Sequence, residues 1–346
     1  IIQNMPGAFT LSGMTINRTS GTAKPVIDFN NIGGTIKLTD VKVSNTTAGQ
    51  GIRIQNHRGS VEINDVRVEN TGGTAALIDN TAGVGNVTIK NSDFIDGSNG
   101  GMVISTKGTV LLDGVSAIGN VGSGAYITAG KGVTVKNSWF TLNTTGSGLY
   151  ISSSTSGNVV LNWVYAINNS YNGIIAYTLS GSITASNITT LSNGYHGITF
   201  DTCVWDGSKC TGNPSTSNIS LTNSYHEQGA DYQQVALYAL GNVVVTNIEV
   251  YSGDSSGLYI DNKYATSAKN VTITKAILSS NDGTNLFVYS KGQITLDGVA
   301  AYYSTDGSGM ILDNTYGTAG VVFKNTTGQN IAYMNYQKGI DLDTNG

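Results

Sequence analysis

At 346 residues, with 12% of its side chains charged, 45 Gly and only 3 Pro, the chain is neither a disordered polyampholyte nor a helical protein. Its net charge of -4 and pI near 5.3 offer no basic face to a phosphate backbone, which argues against nucleic-acid binding. No apolar run reaches the roughly 18 residues of a membrane span, so a soluble chain is expected, and a start at Ile1 without initiator Met or signal peptide reads as a mature or excised piece.

In chain order, one template repeats from end to end. It runs aliphatic, any, aliphatic, any, then Asn, Gly or Asp, then a small or aliphatic residue, any residue, and an apolar residue. Its first position falls at Phe9, Ile36, Val61, Val87, Val110, Val133, Val159, Ile183, Ile219, Val243, Val271, Ile294 and Val321. Period-two alternation inside each repeat marks strands, because successive strand side chains point to opposite faces. The Asn/Gly/Asp position marks a bend that tolerates positive φ; Asp40, Asp65, Asn91, Asn137, Asn187, Asn223, Asn247 and Asn325 hold it, as do Gly13, Gly114 and Gly298, and only Trp163 and Lys275 break the rule. A third strand follows a Gly in most repeats, as in Gly51-Ile-Arg-Ile, Gly124-Ala-Tyr-Ile, Gly148-Leu-Tyr-Ile and Gly257-Leu-Tyr-Ile.

A repeat of three short strands cannot bury its own apolar side chains. Stacking repeat on repeat at roughly 4.8 Å closes a continuous core and pairs every backbone group. The chain is therefore expected to be all-β, a parallel β-solenoid of about 13 coils of three short strands forming a single domain over residues 1–346. The last residues, 339–346, read as the third strand and turn of a further coil, and neither end shows a capping helix. A segment of a longer protein, or ends covered by neighbouring subunits, is the expectation.

At this coil length the repeat resembles the right-handed parallel β-helix of the pectin-lyase-like superfamily. In composition, rich in Thr, Ser, Asn and Gly, it resembles bacterial surface and adhesin-like β-helix proteins. The resemblance implies enzymes acting on acidic polysaccharide along an outward face, and their motifs can be sought directly. Polygalacturonase-like members carry Asn-Thr-Asp, Asp-Asp, Gly-His-Gly and Arg-Ile-Lys motifs, of which only Tyr195-His196-Gly197 has a distant counterpart here. Pectate-lyase-like members need a calcium-binding Asp cluster and a catalytic Arg, whereas Arg18, Arg53, Arg58 and Arg67 all fall in the first coils.

The central outward position of the third strand reads Asp28, Arg53, Leu77, Val103, Tyr126, Tyr150, Ile175, Thr199, Tyr238, Tyr259, Phe287, Ile311 and Asp341. The stretch Val103, Tyr126, Tyr150, Ile175, Tyr238, Tyr259, Phe287 and Ile311 is an apolar stripe larger than a monomer usually exposes. It fits lateral packing against another rod or domain, or stacking of sugar rings on Tyr; β-propensity alone also selects such residues.

One interval, Ile183 to Ile219, is long and holds an insertion at residues 201–214. Cys203 and Cys210, the only cysteines, are placed to pin this loop as a disulfide, which favours an oxidising, extracellular setting. Near it gather His196, Asp206, Lys209, His226, Glu227 and Asp231, candidates for general acid/base chemistry or ligand binding, although no nucleophile or metal geometry is evident. Asp also recurs at the end of the third strand, at Asp79, Asp201, Asp261, Asp313 and Asp343. The coil register accounts for these residues as strand and turn, so calcium is set aside and no cofactor is expected.

The sequence reading therefore favours an extracellular structural or adhesive segment, self-associating or joined to neighbouring domains through the apolar stripe and open ends. The alternatives are a polysaccharide lyase or glycoside hydrolase beside the 201–214 insertion, and a non-catalytic, carbohydrate-binding, tailspike-like module.

Overall fold

The computed structural model describes residues 1–346 apart from 18–23, 153, 206–209, 212–216, 230–231 and 346. Among the described residues there is no helix, and the strands of the two large sheets pair in parallel as a right-handed β-solenoid of about 12 turns. The chain divides into two compact units, residues 1–157 with 163–171, and residues 158–162 with 172–346.

The first unit stacks the third strands Ile2–Met5, Ile27–Ile32, Ile52–Gln55, Ala76–Asn80, Met102–Thr106, Ala125–Ala129 and Leu149–Ile151 into one sheet. In the other sheet, strands such as Ile36–Thr46, Val61–Thr71 and Val87–Gly97 each run through the bend, so the first two strands of a coil are continuous. The second unit repeats the plan. Its third-strand sheet is Ile174–Tyr177, Ile198–Asp201, Val235–Tyr238, Leu258–Asp261, Leu286–Tyr289, Met310–Asp313 and Ile340–Asp343.

Register follows from the template. Ile36, Val61, Val87 and Val110 stand opposite one another on successive rungs, and their alternation buries every inward aliphatic side chain completely or nearly so. The bend residues take left-handed φ as expected, between 47° and 68° at Gly13, Asp40, Asp65, Asn91, Gly114, Asn137, Asn187, Asn223, Asn247 and Gly298. Trp163 and Lys275, which looked like exceptions, adopt the same conformation at 55° and 54°. Stacking on the neighbouring rungs therefore overrides local preference at those two positions. Asn325 is the exception instead, since it follows the strand Val321–Lys324 without a left-handed φ.

The Gly ahead of the third strand has a steric cause. A Cβ on Gly124 would lie 2.6 Å from the Gly148 carbonyl oxygen, and one on Gly257 would lie 2.6 Å from the Asn281 side-chain nitrogen. Those side-chain amides belong to buried ladders at the inner corner of the coils. Asn120 donates to Asn143 at 3.1 Å, and Asn143 donates to Asn169 at 2.7 Å. Each rung thus satisfies the next, as buried polar groups require.

A left-handed φ costs a residue with a Cβ roughly 1–2 kcal/mol, less for Asn. Lys275 is exposed. Lys275→Asn is therefore expected to stabilise the protein by about 1 kcal/mol, read as a higher midpoint in urea unfolding; an unchanged or lower midpoint contradicts this account of the bend.

Candidate functional site

On the outward side of the second unit's third-strand sheet, one column of paired residues alternates aromatic and acidic. It runs Tyr177, Asp201, Tyr238, Asp261, Tyr289 and Asp313, ending at Asp343. Each Asp ends its strand and turns back on its own loop. Asp201 accepts from the Cys203 N–H at 2.5 Å, Asp261 from the Lys263 N–H at 3.1 Å, and Asp313 from the Thr315 N–H at 2.9 Å. This Asx turn explains why Asp recurs there, and Asp79 does the same in the first unit.

The neighbouring outward column is Ile175, Thr199, Ala236, Tyr259, Phe287 and Ile311. Tyr238 therefore does not belong to the central stripe, and Ala236 holds that place. The slip arises because Gln234 stands where most coils have Gly: Ile198 pairs with Val235, so Gln234 aligns with Gly197. Gly253 makes room for it, since a Cβ there would lie 2.7 Å from the Gln234 Cγ. The stripe is also less open than its composition implies. Ile175, Thr199 and Ala236 are buried, Val103, Tyr150, Tyr259, Phe287 and Ile311 are intermediate, and Tyr126 is 39% exposed.

A recess lies on this face beside Tyr238 and Tyr259. A cavity of about 410 Å³ is lined by Asp201, Cys203, Tyr238, Tyr259, Asp261, Lys263 and Tyr264. Its aromatic wall continues outward: the Tyr238 and Tyr259 rings lie 5.7 Å apart, Tyr259 and Phe287 5.7 Å, and Phe287 and Tyr289 4.7 Å. Lys263 sits inside this wall, 3.1 Å from the Asp261 carboxylate and 4.1 Å above the Tyr289 ring, with the Tyr264 ring at 5.1 Å and the Tyr316 ring at 5.5 Å.

Burial sets the protonation states. It lifts the Asp201 carboxyl from an ordinary 3.8 to about 6, against the opposing Cys203 N–H. Asp261 is also raised by burial, despite its ion pair with Lys263. Burial opposes charge on Lys263, but the Asp261 carboxylate outweighs it and holds the ammonium above its usual range. Burial and the charge of Asp261 raise the phenols of Tyr238 and Tyr259, so both remain neutral donors at any ordinary pH.

Of the residues favoured from sequence, Tyr238 and Tyr259 line this cavity, whereas the described acid/base candidates His196, His226 and Glu227 do not. His226 faces inward from the strand Ile219–Glu227 and is fully buried, with Nδ1 2.7 Å from the Thr190 hydroxyl and Nε2 without a partner. It is a core residue and not a candidate acid or base, because alternation on the strand places only its neighbours outside. Glu227 is one of those neighbours; it accepts from the Tyr225 hydroxyl at 2.5 Å, pushing that phenol up to about 12. His196 lies in the turn before Ile198–Asp201, its Nδ1–H donating to the Gln233 carbonyl at 2.7 Å beside the Tyr232 ring at 5.2 Å. Burial lowers its pKa. Asp206, Lys209 and Asp231 lie outside the described residues. Cys203 and Cys210 form the expected disulfide, closing the short hairpin of Val204–Trp205 and Cys210–Thr211 next to the cavity.

Four of the six buried side-chain polar atoms without a partner among the described residues lie in the coils carrying this site: the Thr199 hydroxyl, His226 Nε2 and both amide atoms of Gln234. Those coils therefore give up polar satisfaction that the ladders elsewhere preserve.

This architecture is that of a right-handed parallel β-helix. Residues 26–190 match the family model of the right handed beta helix region. Among solved structures, the chain is similar to the periplasmic alginate epimerase AlgG at 11% identity and a TM-score of 0.54, covering 92% of this chain and 78% of that one. It also aligns with the catalytic domain of Agl-KA at 14% identity and a TM-score of 0.44, covering 99% of this chain and 62% of that one. No curated protein matches the sequence. The likeness is one of fold.

The two shifted groups have opposite consequences for stability. Asp201, whose folded value lies above its unfolded one, binds its proton more tightly when folded, so stability falls as pH rises from about 4 to about 6. His226, depressed from 6.5 to about 3, stabilises the fold above 6.5, and that contribution is lost as pH falls through this range. Asp201→Asn is expected to make stability rise more steeply between pH 4 and 6, and His226→Gln to flatten it, in urea unfolding across pH; if Asp201→Asn leaves the profile unchanged, Asp201 is an ordinary solvated carboxylate.

Proposed function

We propose that the second unit binds a polysaccharide chain along the paired aromatic and acidic columns, with the 410 Å³ recess at Asp201, Tyr238, Tyr259 and Asp261 as its principal subsite. The observation that carries this is the alternation of aromatic rings and carboxyl groups on successive rungs of one outward column. Pyranose rings have an apolar C–H face, which stacks on Tyr, and a rim of hydroxyls, which donate to carboxylates. Rungs spaced at about 4.8 Å repeat on the scale of a sugar ring along its chain. A concave, largely preformed pocket with a few convergent polar groups is the usual form of a small-ligand site. The Cys203–Cys210 disulfide supports an extracellular or otherwise oxidising setting for such binding.

Asp201 favours a second reading, in which the same face acts on the glycan it binds. A carboxyl titrating at about 6 holds a proton at mildly acidic pH and is suited to general acid chemistry at a glycosidic oxygen.

Tyr259→Ala is expected to weaken binding of oligosaccharides by about tenfold or more in titration calorimetry, the loss typical of a central aromatic anchor. Binding unaffected by Tyr259→Ala refutes this placement of the subsite.

The first unit supports a separate role. There Tyr126 and Tyr150 stack at 4.9 Å with an interplanar angle of 5° on the outer face, and Trp139 stacks on Tyr165 at 5.5 Å. We assign lateral association to the Tyr126 and Tyr150 pair. Concentration-dependent pairing in sedimentation velocity should disappear on joint Tyr126→Ser and Tyr150→Ser substitution; a chain that stays monomeric at all concentrations rejects this role.

A further inference from the structure

We infer that the second unit's site selects uncharged glycans and rejects uronate chains, an inference that rests on the glycan-binding reading and specifies its ligand. The geometry points to this through the sign and spacing of charge. Asp201, Asp261 and Asp313 stand at every second rung of one column. A bound chain crossing these rungs therefore meets a carboxyl group at intervals of about 9.6 Å. Each Asp has already used one oxygen on its own turn, and Lys263 takes the other oxygen of Asp261, so Asp201 and Asp313 are the carboxyl groups that offer their remaining lone pairs to donors. Hydroxyls donate to such groups, whereas a sugar carboxylate has nothing to donate and faces like charge.

The cation that would normally receive a sugar carboxylate is engaged elsewhere. Lys263 is the one ammonium lining the cavity among the described residues, and it is held 3.1 Å from Asp261 and against three Tyr rings. Its side chain is only 17% exposed. Recruiting it to an anionic sugar would strip a buried Asp261 of its partner, which is costly. Lys291, the next amino group along the turn, donates to the Ala265 carbonyl at 3.0 Å. The described arginines, Arg53, Arg58 and Arg67, all belong to the first unit. Guanidinium forks, the groups best matched to carboxylates, are therefore missing from this face among the described residues.

Like-charge juxtaposition across an interface costs several kcal/mol, more than enough to separate neutral from acidic chains. The test uses the full chain at pH 7.5 and low salt. Titration calorimetry is run against a panel of neutral gluco-, manno- and galacto-oligosaccharides, and against galacturonate and mannuronate oligomers of the same length. The expected result is saturable binding of at least one neutral oligomer, lost in Tyr259→Ala, with the uronates weaker by at least about tenfold. In the triple variant Asp201→Asn, Asp261→Asn, Asp313→Asn the uronates should gain about tenfold; circular dichroism checks that it folds. Asp313→Asn alone, at a half-buried strand end two rungs from Asp261, should give a smaller gain in the same direction and serves if the triple variant does not fold. Uronates binding as tightly as neutral oligomers, or tighter, would overturn the selectivity while leaving the glycan site standing. No binding by any oligomer in the panel would overturn the site itself and the selectivity with it.

Discussion

Everything in this protein depends on the parallel hydrogen-bond ladder that sets one coil directly above the next. Because the ladder is in register, a residue position repeated once per coil becomes a column perpendicular to the strands, spaced at about 4.8 Å. Inward columns are aliphatic and make the core. Corner columns are Asn and make polar ladders such as Asn120, Asn143 and Asn169. Outward columns are free of both duties, and there chemistry can be written at one rung without disturbing the next.

The second unit uses this freedom. Its alternating Tyr and Asp column puts carboxyl groups two rungs apart with aromatic rings between them, and a recess lined by Asp201, Tyr238, Tyr259 and Asp261 lies along it. Burial then does the electrostatic work, keeping Asp201 protonated to unusually high pH and forcing Lys263 into an ion pair and a ring of aromatics. The two coils from Ile183 to Val243 are where the regular pattern yields: Gly gives way to Gln234, an inward His226 stands below the aliphatic Val250, and the Thr199, His226 and Gln234 side chains hold buried polar atoms without a partner. Local rules broken beside a cavity are a familiar mark of a site under functional rather than structural selection.

The Asx turns show how one residue serves two ends. Asp79 in the first unit closes its turn in the same way as Asp201, but its outward neighbours are the aliphatic Leu77 and Val103 and not aromatic rings. The site is thus a matter of what surrounds a common turn residue, and the Asp itself is not distinctive.

The sequence alone determined the class of fold. A template of alternating aliphatic residues and a left-handed bend position, repeated from Phe9 to Val321, has one way to bury its apolar side and satisfy its backbone, which is to stack. The outward placement of Tyr126, Tyr150, Tyr259 and Phe287 was legible because period two assigns faces, and the cysteine pairing because Cys203 and Cys210 are the only two cysteines and share one insertion. Tertiary structure decided the rest. The register around Gln234 moved Tyr238 into the column with Asp201 and Asp261, which no single coil could reveal because its usual Gly marker is missing. Alternation on Ile219–Glu227 turned His226 inward and left Glu227 outside, separating two residues that look like partners in sequence. The recurrent Asp was visible from the start, but its raised pKa was not. That depends on burial by residues from neighbouring coils, a property of the stack and not of the repeat.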